Sequence, residues 1–296
     1  MHPGRNTPRD ARVRAALLGV LIAGCGAGEG APMALDGRVP DLGIDDGPDF
    51  RVDDPTQDLG VRTSPREEAI RASARRAAAY LLSFEGEIGA DVVVALRVYG
   101  EVAEDEDVAF IAQQRRALLP ADARRALAPA LDGPLVVPSE AQAITPQESA
   151  GFPGDERDQT CPAAALRCNE PADCTSYLAT PADGYGLTHQ SLTLVFARWA
   201  GCANDDSRRH VLAHRLAAEQ LREPVASDLA GERIAMLGEL GYAAQIDDAW
   251  IDAFIDAQVD DGESAGAFRW ESGGTTAPHP TGMALWAYAQ WFRARE

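Results

Sequence analysis

The sequence predicts an all-α protein, an α/α toroid or partial ring of helical hairpins carrying a disulfide-stapled, proline-rich insertion. Three observations predict it. Apolar residues recur at helical spacing from Pro65 to Leu131 and again from Tyr185 to the C-terminus, with mostly short connections. Helices that are apolar around most of their circumference alternate with helices that carry one charged face. Between Ala128 and Gly184, eight of the nineteen prolines and three of the five cysteines gather in one segment that no long helix survives.

The elements follow in chain order. Residues 1–24 read as an export leader: Arg5, Arg9, Arg12 and Arg14 precede the apolar run Ala15 to Ala23. That run is shorter than the roughly 20 residues needed to span a bilayer. Leu21-Ile22-Ala23-Gly24-Cys25 resembles the lipobox of bacterial lipoproteins, and the resemblance implies that Cys25 becomes the acylated first residue of the mature chain. Stable attachment then needs several acyl chains, because one alone holds marginally. Glycine at position 26 favours the outer membrane by the same resemblance. Residues 25–64 form an acidic tether, rich in Gly, Pro and Asp and without sustained apolar period. The spacing of its aspartates does not match a calcium loop.

Helical periodicity begins at Ser64-Pro65, an N-cap followed by a first-turn proline. In the segment Glu67 to Phe84, Ile70, Ala74, Ala77 and Leu81 share a stripe. Further helices are expected over Asp91–Val102, Asp105–Leu119 and Ala121–Leu131, which complete the N-terminal hairpins, residues 65–131. Val92 to Leu96 would suit a buried strand by composition, but no hairpin signal flanks it. The insertion, residues 132–184, contains Cys161, Cys168 and Cys174, and Cys202 follows one segment later. In an exported chain four cysteines are most simply two disulfides. Cys174 with Cys202 and Cys161 with Cys168 is the expected pairing among three, with a four-thiolate zinc as the competing arrangement. The C-terminal hairpins, residues 185–296, are expected at Leu187–Ala200, Asp206–Arg222, Asp228–Leu240, Asp247–Gln258 and Thr281–Arg295, with a long loop from Val259 to Pro280. They should pack with residues 65–131 as one domain.

The helices starting near Asp91, Leu187, Asp228 and Thr281 are the apolar ones, and those between them have one charged face. Buried and surface helices in alternation suit a double ring or a curved stack of hairpins, in which each hairpin buries its inner face against its neighbours. The end of the chain carries a matching signal. Ala257-Gln258-Val259-Asp260-Asp261-Gly262, then Phe268-Arg269-Trp270, then His279-Pro280-Thr281-Gly282-Met283-Ala284-Leu285, resembles one repeat of the α/α-toroid proteins, the terpenoid cyclases and protein prenyltransferase β-subunits. The resemblance implies parallel inner helices whose N-termini meet at one mouth of a central cavity. Asp91, His189 with Tyr185 ahead of it, Asp228, Glu232 and His279 would then converge. Two histidines with carboxylates suit a zinc or iron site with an open position for water. Prenyltransferase β-subunits bind zinc near that mouth, but no cysteine stands where that family has one, so prenyl transfer does not carry over. The spacing of His210 and His214 also matches a helical metal pair, with arginines on either side that disfavour a cation.

Composition narrows the function classes. The chain has 296 residues and a net charge of −19, with 46 acidic against 27 basic side chains. That excludes a general nucleic-acid binder, which needs a basic surface. All the Lys-plus-Arg residues are arginine, so Schiff-base and pyridoxal-phosphate chemistry are excluded. There is no Gly-x-Ser-x-Gly elbow, no phosphate loop and no dinucleotide fingerprint. No cofactor is announced by a motif; zinc is the one that the converging ligand types would suit. The expectation is a lipid-anchored, extracytoplasmic helical domain with a binding or scaffolding role at the cell envelope. Its contacts would be the membrane, through the anchor, and an envelope protein or polymer. The alternative is a metal-dependent hydrolase or lyase with its site at the mouth of a helical toroid.

Overall fold

The computed structural model describes residues 63–132, 156–169, 172–202, 206–271 and 273–295. The leader, Cys25 and nearly all of the tether lie outside the described residues, as does the segment 133–155 of the insertion.

Among the described residues the chain is helical with one minimal sheet. The helices are α1 (Pro65–Ser83), α2 (Ala90–Val102), α3 (Glu106–Leu118), α4 (Ala121–Ala126), α5 (Ala128–Asp132), α6 (Glu156–Ala165) and α7 (Ala172–Ala179). They continue as α8 (Gly184–Trp199), α9 (Asp206–Arg222), α10 (Asp228–Leu237), α11 (Asp248–Ala257) and α12 (Pro278–Arg293). Their starts follow from local chemistry. The Ser64 hydroxyl accepts from Glu67 N ahead of Pro65, and Asp105, Ser227 and Asp247 cap α3, α10 and α11 in the same way. Val92 to Leu96 lie inside α2.

Three expectations need correction. The helix expected over Ala121–Leu131 breaks at Leu127 into α4 and α5. The helix expected to run to Leu240 is regular only to Leu237. It continues as a π-helical turn, Gly238–Tyr242, in which Gly241 takes φ +93°, a value that only glycine adopts freely. The loop Val259 to Pro280 is also more ordered than expected. Strand β1 (Phe268–Arg269) pairs antiparallel with β2 (Thr276–Ala277), and α12 starts at Pro278, which supplies a preset φ at the first position.

The core is organised about α12, which is buried at every position from Pro280 to Phe292. It packs between α2 and α10; α10 contacts α8, and α5 touches both α2 and α8. The charged helices are peripheral, as their pattern predicts: α9 buries a stripe including Leu212, Ala213 and Leu216, and α11 buries Trp250, Ile251 and Phe254. Glycine allows the closest approaches. A Cβ on Gly100 of α2 would meet the Ala109 backbone nitrogen at 2.8 Å, and one on Gly231 of α10 would meet Met283 Cβ at 2.9 Å.

The four expected cysteines form two disulfides, but not in the expected pairing. Cys161 joins Cys174, and Cys168 joins Cys202, with Cα separations of 5.4 and 5.2 Å. The reason is helical rise. Cys161 lies on α6 and Cys168 just beyond its end, so about 10 Å of helix would separate them, outside the usual disulfide span of roughly 4.4–6.8 Å. Cys161 instead faces α7 in a small apolar cluster with Tyr177 and Leu178. Cys168, at φ +51°, turns toward the end of α8. The described residues of the insertion thus include two short helices, packed on α8 through α6.

Peptide mapping under non-reducing conditions should recover Cys161–Cys174 and Cys168–Cys202 as the linked pairs. Replacing Cys168 and Cys202 together by serine should lower stability by about 2–5 kcal/mol in denaturant titrations. Gly100→Val should also lower the midpoint, by about 1–3 kcal/mol, because its neighbour is backbone that cannot swing aside.

Candidate functional site

First turns of four helices supply the site. Asp91 stands in the first turn of α2, and Tyr185, Thr188 and His189 at the start of α8. Asp228 and Glu232 are one turn apart on α10, and His279 follows Pro278 at the start of α12. Unpaired N–H groups and the positive end of the dipole favour carboxylates at such positions. They disfavour a cation, so His279 needs compensation. It has two carboxylates: Nδ1 lies 2.6 Å from Asp228 Oδ1, and Nε2 forms an ion pair at 2.9 Å with Asp91 Oδ2. Glu232 Oε1 is 3.6 Å from the same Nε2. The ring is stacked on Trp270, with centroids 5.4 Å apart and planes 14° apart. Tyr185 donates to Asp228 Oδ2 at 2.9 Å, and Asp228 N donates to the Trp270 carbonyl at 3.0 Å. The β1–β2 pair therefore sets both the stacking partner and the start of α12.

Of these groups Asp91, Thr188, His189, Glu232 and His279 line a cavity whose remaining wall is apolar: Val94, Leu127, Leu192, Phe196, Met236, Met283 and Trp286. The space open to the centre of a water molecule is about 40 Å³, room for about three waters.

Burial, helped by Asp228, pushes the Glu232 carboxyl up to about 8, against the opposing pull of His279 and Thr188. Burial alone would lower the His279 imidazole, but Asp228 and Asp91 outweigh it and raise the group well above its ordinary 6.5. At neutral pH the site thus holds an imidazolium beside a neutral carboxylic acid. Thr188 Oγ1 lies 3.0 Å from the Tyr185 carbonyl oxygen and 2.5 Å from Glu232 Oε2. A hydroxyl has one hydrogen and a carbonyl can only accept. Thr188 therefore donates to one of these oxygens at a time, and its bond to Glu232 opposes the effect of burial.

Of the expected site residues, Asp91, Asp228, Glu232 and His279 come together, and His189 lines the same cavity beside them. Asp228, Glu232 and His279 are the set of described residues that could hold a metal, offering one ligand atom each within 4.8 Å of one another; His189 is not in that set. A lone pair from His279 would be required, and its Nδ1 is already bonded to Asp228 while its Nε2 faces Asp91, so coordination means giving up one of those partners. The sequence reading missed Thr188. Its signal is an i,i+3 relation to Tyr185, which carries no chemistry until Glu232 stands opposite. His210 and His214 stack edge-on at 4.3 Å on the exposed side of α9, with His210 Nδ1 2.9 Å from Tyr242 Oη, away from the cavity.

No family model, curated protein or solved structure matches this chain.

The proton positions set a pH dependence of stability. Both groups are raised in the folded state, so their contribution is complete below their unfolded values, 4.5 for Glu232 and 6.5 for His279, and is lost as pH rises through the folded ones. Thermal midpoints should therefore fall as pH rises from about 5 to 9. In Glu232→Gln the part of the decline between 4.5 and about 8 should disappear. A variant curve parallel to the wild type throughout would contradict the neutral carboxyl.

Proposed function

We propose that the protein is a lipid-anchored component of the cell envelope, held outside the cytoplasm through Cys25, that binds a small molecule in the cavity at its helix N-termini. The observation that carries this is the desolvated cluster at the end of an apolar cavity. Removing an imidazolium and two carboxylates from water is expensive, and well-packed apolar residues would stabilise the helix ends at least as well. Such a cluster beside open space suits ligand recognition better than structural support. A scaffold acting through its outer surface would have no need of it. We read α2, α12, α10 and α8, with α5 between the last and the first, as the inner part of a partial ring of hairpins. That arrangement brings four N-termini to one cavity.

Two disulfides support export, since such bonds persist in oxidising compartments. Among the described residues no helix is long and apolar enough to cross a membrane, so attachment falls to the lipid. A second reading, a metal-dependent hydrolase or lyase, is favoured by the approach of Asp228, Glu232 and His279 within 4.8 Å. In that case Asp228, Glu232 and His279 would hold the metal, which would supply Lewis-acid activation of water for hydrolysis.

Full-length protein should fractionate with membranes, and Cys25→Ser should move it to the soluble extracytoplasmic fraction; a membrane-bound serine variant would refute the anchor. Thermal-shift screening with small molecules of varied charge should give ligands whose stabilisation is lost in Glu232→Ala and kept in His214→Ala. Elemental analysis of protein purified without chelator distinguishes the readings, because a stoichiometric metal that leaves with His279→Ala supports the second.

A further inference from the structure

The polar end of the cavity is an excess of acceptors. Glu232 Oε1 stands 3.6 Å from His279 Nε2, beyond hydrogen-bond reach, and Glu232 is more than nine-tenths buried. Both Asp91 oxygens are buried without an aligned hydrogen bond, although one forms the ion pair with His279. Most lining donors are spent. Trp286 Nε1 donates to Glu239 at 3.0 Å, Thr188 to the Tyr185 carbonyl or Glu232 Oε2, and His279 Nδ1 to Asp228. His189 can donate or accept according to its tautomer. Three carboxyl groups thus surround one imidazole, and Phe196 and Trp286 face the same space.

From this geometry we infer that the occupant is an organic ammonium ion: a small protonated primary amine, or the ammonium end of a longer molecule. The inference rests on the cavity being a binding site. An ammonium brings three donors and no acceptor, so it satisfies Asp91 and Glu232 Oε1 together. Its positive end faces the carboxyl groups, and its alkyl part meets the apolar wall and the aromatic faces, which attract cations. An anion would face carboxylates. A neutral apolar molecule would leave buried acceptors unpaired, a loss of about 1–3 kcal/mol each. A metal ion matches less well, because His279 would have to release a carboxylate and the apolar wall offers no partners for its remaining waters. Free volume restricts the part that enters to about three or four heavy atoms.

Calorimetric titration of the full-length protein tests the inference with methylammonium, ethylammonium and Nα-acetyl-lysine amide, against ethanol, acetate, magnesium and zinc. The ammonium probes should bind at least about tenfold more tightly than ethanol or acetate, and Asp91→Asn should remove that preference. Tight binding of the lysine amide alone would identify the ligand as the end of a longer molecule; binding of the free amines would identify a small amine. Because the asparagine variant could fail to fold, intermolecular nuclear Overhauser contacts between bound ethylammonium and the Met283 methyl or Trp286 ring of the wild type provide a second measurement. Ethanol or acetate binding as tightly as ethylammonium, or metal ions binding where ammonium does not, would overturn the ligand class while leaving a binding site in place. Failure of every probe to bind would overturn both.

Discussion

His279 between Asp228 and Asp91 is the interaction on which the rest of the structure depends. One imidazolium ties the start of α12 to the starts of α10 and α2, three helices whose N-termini would otherwise repel a cation. Because α12 is buried along nearly its whole length, its starting point fixes where its apolar surface meets α2 and α10. Its other end is held by a comparable device: Glu239, in the π-helical turn after α10, accepts from Trp286, Gln290 and Arg293. A buried carboxylate at one end and a buried imidazolium at the other thus clamp α12 against α10.

The neutrality of Glu232 follows from the same arrangement. Two carboxylates already share one imidazolium, so a third negative charge in the same desolvated space has no cation left to balance it. Retaining the proton is the cheaper solution. Burial sets the direction, and the Thr188 hydroxyl and His279 oppose it.

Much of this was legible in the sequence, for physical reasons that vary with the element. The α1 stripe of Ile70, Ala74, Ala77 and Leu81 is fully buried, because helical period and burial are one signal. Asp91, Asp228, Glu232 and His279 could be singled out because each is a polar residue at the start of an apolar helix. The disulfide pairing was not legible, since it depends on α6 being helical through Pro162, which proline density argues against. The π-turn at Gly241 was likewise hidden, because its cause is the fit of Glu239 under α12 and not a local preference. Thr188 and Trp270 gain their roles only from what the fold sets opposite them.

The site draws on residues 91, 188, 228, 232 and 279, so it spans nearly the whole helical domain and no two of its helices adjoin in sequence. Its assembly depends on contacts between distant parts of the chain, the kind that form late and slowly in folding. In evolutionary terms, such a site cannot pass between proteins as a short motif or a duplicated hairpin. It is inherited with the entire domain or must arise anew, and its relatives will be recognised by shared topology before shared sequence.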